Sequence, residues 1–129
     1  MTTWTKEELA KVAAAEELEI TSLRADGSQS STRTIWVVPL AEDLCVRSVN
    51  GPGSAWFRGV TQRHQGHISA GGVDQDVTFV ETHADDDGID AAYRAKYHRY
   101  AEDILDHITS PEARSTTLKL TPRSVRRTT

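Results

Sequence analysis

Between Leu18 and Val49 the chain alternates with a period of two, and no helical pattern interrupts it. "LEITSLR", "STRTIWVVPL" and "LCVRSV" read as three strands. They are joined by "ADGSQS", with Asp-Gly at its centre, and by "AED". Connections this short permit only antiparallel pairing, because a parallel crossover needs a dozen or more residues. The expectation is an antiparallel meander. Pro39 lacks an N–H to give to a ladder and marks an edge or a strand end. In the third strand Leu44 and Val46 share one face, and Cys45 and Arg47 share the other.

Helices flank this segment. In "WTKEELAKVAAAEE" Thr5 is the N-cap, Glu8 completes a capping box, and Trp4 and Leu9 have the spacing of a hydrophobic staple. Ser54 opens a short helix, "AWFRGVTQRH". "GHISAGG" and "QDVTFVET" are the next two strands. In "DDDGIDAAYRAKYHRYAEDILDHI" the residues Ile89, Tyr93, Tyr97, Tyr100, Ile104 and Ile108 form one helical face, broken once near His98. The Asp run suits a helix start, with Asp86 or Asp87 as cap. Ser110 and Pro111 begin another turn, and "TTLKLTP" is a sixth strand with Leu118 and Leu120 on one side. The class is α+β, a small six-stranded, mostly antiparallel sheet that curls into a barrel between flanking helices.

A length of 129 residues fits one domain, placed at 1–123, with a basic tail at 124–129. The balance of 15 basic and 19 acidic residues gives a net charge of −4, which argues against a nucleic-acid partner. No apolar run reaches the roughly 18 residues of a membrane span, and no signal peptide is evident, so the expected location is the cytoplasm. The single cysteine, Cys45, reads as a small core residue.

"RSVNGPGSAWFRG" carries the candidate site. A strand ends at Arg47 and a glycine-rich turn leads to Ser54 at a helix N-terminus, where free N–H groups favour an anion. Arg47 and Arg58 have the planar fork that suits phosphate, and Arg33 on the neighbouring strand is placed to join them. Ser48 belongs to the same turn. Trp36 and Trp56 are the candidates to line a planar ligand. Tyr93, Lys96 and Tyr97 are the candidate catalytic groups facing a substrate. The same residues also describe an ordinary strand-to-helix corner, in which Ser54 is a plain cap, Arg58 is solvated and the aromatics are core. Two other motifs lead nowhere. "HADDDGID" puts Arg94 where a calcium loop needs Glu. His64 and His67 lack further ligands at metal-binding spacing, so no metal is expected.

"TIWVVPLAEDLCVRSVNGPGSAWFRG", "GHISAGGVDQDVTFVE", "IDAAYRAKY" and "STTLKLTPR" together resemble the bacterial family called domain of unknown function 2255. More loosely, the element order is similar to the flavin-binding split β-barrels, the pyridoxamine-phosphate oxidases and the deazaflavin-dependent nitroreductases. Gly59 stands where the nitroreductases carry Asn, and the dense Arg-Lys cluster of the oxidases is absent. The resemblance implies a split β-barrel that binds FMN or a deazaflavin. In it Arg33, Arg47, Ser48, Ser54 and Arg58 hold the phosphate and Trp36 and Trp56 flank the ring. The expected activity is that of an oxidoreductase, and the expected assembly a homodimer. The alternatives are a cofactor-free isomerase or cyclase acting on a small organic substrate, and a non-catalytic ligand-binding module.

Overall fold

The computed structural model describes residues 4–22, 32–83 and 85–123. The Asp-Gly turn at 25–30 and the basic tail at 124–129 lie outside these. Helix α1 (Lys6–Ala14) precedes β1 (Leu18–Ser22), β2 (Arg33–Ile35), β3 (Val38–Leu40) and β4 (Asp43–Val46). A 3-10 turn at Gly51–Gly53 leads into α2 (Ala55–Arg63), then β5 (Gln65–Ala70) and β6 (Val73–Glu81). Helices α3 (Asp86–Lys96), α4 (Glu102–Ile108) and α5 (Pro111–Arg114) precede β7 (Leu118–Pro122).

Local signals placed most of these elements. Thr5 and Glu8 make the reciprocal capping box of α1. Gly71 and Gly72, at φ of +58° and +86°, form the tight β5–β6 turn, which needs left-handed backbone at both positions. Ser110 caps α5 by accepting from the Ala113 N–H. The cap of α3 is Asp85 rather than Asp86 or Asp87. Its carboxylate accepts from the Gly88 N–H at 3.0 Å, which frees Asp86 for another task.

The described strands number seven rather than six, because "STRTIWVVPL" breaks at Trp36–Val37. All pairings are antiparallel and the order is β2-β1-β5-β6-β7-β4-β3. The meander is therefore corrected: β2 and β3 are consecutive in the chain but lie at opposite edges of the sheet. Two intervening residues span at most roughly 10 Å. The two edges must meet there, so the sheet curls into a barrel with a seam at Trp36–Val37. Pro39 sits on the edge strand β3, opposite Leu44.

Two cores result. Leu18, Ile20, Leu44, Val46, Ile68, Val77, Phe79, Leu118 and Leu120 fill the barrel, joined by Trp4 and Val12 beside it and by Phe57 and Val60 of α2. Val38 and Cys45, on the other face of β3 and β4, pack with Ile89, Tyr93, Tyr97, Leu105 and Ile108. The break at Tyr97–Ala101 shifts the helical phase, so Leu105 enters this second core and Ile104, expected there, is 41% exposed.

Candidate functional site

Where β4 gives way to α2, the surface opens into a hollow of about 250 Å³. Ile35, Trp36, Val49, Trp56, Ile104 and Ile108 make its apolar walls, and Thr34, Arg47, Ser48, Asn50 and Ser54 supply its polar groups. It adjoins a wider, more open depression of about 550 Å³. That depression shares Asn50, Ser54 and Trp56 and adds Arg33, Gly53 and Ala55 at the N-terminus of α2. Trp56 thus stands between an apolar slot and a polar mouth. Of the expected cofactor residues, Arg33, Trp36, Arg47, Ser48, Ser54 and Trp56 come together here. Arg58 does not, since it is exposed on α2 and lines neither hollow.

Arg47 is present at the site but not free. Its side chain is fully buried, and its guanidinium makes five hydrogen bonds. Nε donates to Thr117 Oγ1 (2.9 Å), and Nη1 to Asp90 and to the Ile108 carbonyl (3.2 Å). Nη2 donates to the Asp86 carbonyl (3.2 Å) and to Asp86 Oδ1 (3.3 Å). Arg114 grips the other oxygen of Asp90 and also Asp87. A buried cation must be paired, and this one is paired twice. The expectation that Arg47 holds a phosphate is therefore corrected: an anion there would meet two carboxylates. Burial alone would raise the Asp90 pKa, but hydrogen bonds from Arg114 and Arg47 hold the carboxyl below its ordinary value.

Ser54 occupies the N-cap of α2, yet its side chain makes no capping bond. Ser48 Oγ donates to the Gly51 carbonyl (2.8 Å), so Ser54 is the donor in the 2.8 Å hydroxyl pair they share. Gly51 holds this corner at φ +80°, with a Cβ position only 3.3 Å from Glu112 Cβ, so the turn needs glycine.

The three expected catalytic residues lie behind the wall, not in it. Tyr93 is fully buried beneath Arg47, whose guanidinium carbon is 5.7 Å from its ring. Its hydroxyl has no hydrogen-bond partner among the described residues, and burial drives its pKa far up. Tyr97 stacks on Trp36 at 3.9 Å and 5°. Lys96 Nζ donates to the Val37 carbonyl at 2.6 Å, and burial lowers its pKa to about 8. Cys45 is buried, its pKa raised to about 11 by desolvation, which keeps it a protonated thiol.

Sequence reasoning missed Asp86 and Asp90 as the partners of Arg47. The signal was their four-residue spacing, which puts two carboxylates on one face of α3. It also missed Asn50, Val49 and Ile104 as lining.

Residues 8–120 match the family described as an uncharacterized protein conserved in bacteria, DUF2255. The chain belongs to that family. No curated protein matches it by sequence. Among solved structures it is similar to a putative pyridoxamine 5′-phosphate oxidase from Listeria innocua, at 14% identity and a TM-score of 0.63, covering 93% of this chain and 94% of that one. It is also similar to HutZ, the heme storage protein from Vibrio cholerae, at 13% identity and a TM-score of 0.64, covering 93% and 91%. An F420 reductase aligns at 13% identity and a TM-score of 0.56, covering 88% and 90%. At these identities the likeness shows the fold, an α+β split barrel. Among the described residues no helix is long and apolar enough to cross a membrane.

Proposed function

We propose that this DUF2255 member binds a small, flat, largely apolar molecule that carries an anionic group, with an FMN- or deazaflavin-type cofactor as the candidate. One observation carries the reading. The 250 Å³ slot is walled by two indoles and by isoleucines, and the only ionisable group among its described lining residues is Arg47, already neutralised by two carboxylates. Such a slot can bind and orient a ring but has no acid or base of its own to offer. A bound cofactor of this kind would supply hydride or electron transfer. The chain's part is positional. Trp36 and Trp56 flank the ring. Ile35, Ile104 and Ile108 keep water out. Arg33, which makes no ion pair among the described residues, meets the anionic group at the mouth beside α2. Arg47 serves as the back wall. In this reading the protein is an oxidoreductase and a homodimer.

The same lining favours a second reading, a ligand-binding module without catalysis, over a cofactor-free isomerase. It does not suit heme, because no His, Cys, Met or Tyr among the described lining residues could be an axial ligand. Native mass spectrometry of freshly purified protein should report a retained flavin or deazaflavin and the subunit count together. Titrated FMN or F420 should lose fluorescence on binding. Trp56→Ala should weaken that binding by about tenfold or more, and Arg33→Ala should weaken phosphorylated ligands more than riboflavin. No retained molecule and no affinity for either cofactor would overturn the cofactor reading.

A further inference from the structure

The strand break that closes the barrel also makes one wall of the hollow, because Trp36 is both the first residue of the seam and a lining residue. Its side chain is only partly buried and packs against the rim of the second core. Within that rim, two consecutive residues at the end of α3 hold it and the residue after it. The Tyr97 ring lies flat against the indole, with centroids 3.9 Å apart and planes 5° apart. The Tyr97 hydroxyl accepts from the Val37 N–H at 3.2 Å and donates to the Glu16 carbonyl at 2.8 Å. Lys96 Nζ takes the Val37 carbonyl at 2.6 Å, so both polar groups of the residue after Trp36 are held by side chains, where an unbroken strand would hold them in a ladder. Tyr100 lies beside the indole, tilted by 53° with its centroid 4.8 Å away, and is anchored through its hydroxyl to the Glu16 carboxylate.

We propose that Lys96 and Tyr97 are positioning residues for ligand binding: they clamp the Trp36–Val37 seam and so set the angle at which Trp36 faces the hollow. The proposal rests on the hollow being the binding site, but the clamp itself can be tested without a ligand. It also accounts for a lysine that is half-buried against an aromatic ring, 5.2 Å from the Tyr97 centroid, with no carboxylate in salt-bridge reach among the described residues. The cation is spent on a carbonyl that the broken strand leaves without a ladder partner.

The test labels the full chain with 5-fluorotryptophan and follows the fluorine resonances of Trp4, Trp36 and Trp56, assigning Trp36 through Trp36→Phe. Tyr97→Leu should move the Trp36 resonance and leave Trp4 in place, whereas general loosening would move all three. Tyr97→Phe keeps the stacked ring and should restore most of the Trp36 position. Lys96→Met should shift Trp36 without shifting Trp4. In parallel, FMN and riboflavin titrations should show Tyr97→Leu weakened by up to about tenfold and Tyr97→Phe by much less. A Trp36 resonance unmoved in Tyr97→Leu and Lys96→Met overturns the clamp, as does a shift of all three tryptophans in step with lost stability. If the wild type binds neither probe, the binding role of the clamp falls with the cofactor reading, while an unmoved or displaced Trp36 resonance still decides whether the clamp exists.

Discussion

Tyr93 presents a hydroxyl that burial has stripped of water and that has no partner among the described residues. An unpaired buried O–H costs on the order of 1–3 kcal/mol, whereas the ring itself packs well and lies under the Arg47 guanidinium. Tyr93→Phe removes the cost and keeps the ring. It should raise stability by about 1 kcal/mol in urea unfolding, and a loss of stability would show that the hydroxyl serves a hidden polar contact. Arg47 teaches the complementary lesson. Its place at the end of a strand before a glycine-rich turn was readable, and so was its closeness to a hollow. Its commitment to Asp86 and Asp90 was not, because those carboxylates belong to a helix about 40 residues away in the chain.

At the level of elements the seam is the decisive feature. "TIWVV" is rich in β-branched and aromatic residues, and propensity alone continues it as one strand. The break arises because β2 and β3 pair with different strands at opposite edges, and the chain must turn between them. Lys96 stands at this break with its pKa lowered to about 8, chiefly by burial. In the unfolded chain a lysine titrates near 10.4. Between those values the unfolded state binds the extra proton, so stability should rise as pH rises from about 8 towards 10.4. Urea midpoints should show that rise in the wild type and lose it in Lys96→Met. A profile identical in both would mean that the amine is not desolvated. The phase change between α3 and α4 is a related case. The spacing of apolar residues located both helices and the break near His98, but only packing chose Leu105 over Ile104 for the core.

For the molecule as a whole, the Arg47–Asp90–Arg114 network ties β4 and the approach to β7 to α3 and to the ends of α4 and α5. It therefore links the barrel to its helical cover. Asp90 is the pivot, with its folded pKa held below the ordinary value. For a carboxyl of this kind the stabilisation is complete above the unfolded pKa near 3.9, and it is lost as pH falls through the folded value. The acid limb of the stability curve should therefore flatten in Asp90→Asn. At neutral pH that variant should be destabilised, but by less than the roughly 3–5 kcal/mol expected for a buried cation left alone, because Asp86 still pairs with Arg47. An unchanged acid limb would assign acid unfolding to other carboxylates.

What could be read from residues alone was whatever short-range physics decides. The capping box at Thr5, the edge position of Pro39, the alternation in β4, the Gly-Gly turn and the gathering of Ser48, Ser54 and Trp56 around one corner all follow from neighbours a few positions apart. Which sheet edges meet, which charge neutralises Arg47 and which ring fixes Trp36 depend on contacts across 39 residues or more. Such contacts form only when the curled sheet brings distant segments together. Spacing along the chain carries no record of them, because burial and pairing are settled by the closed barrel and not by any one strand or helix.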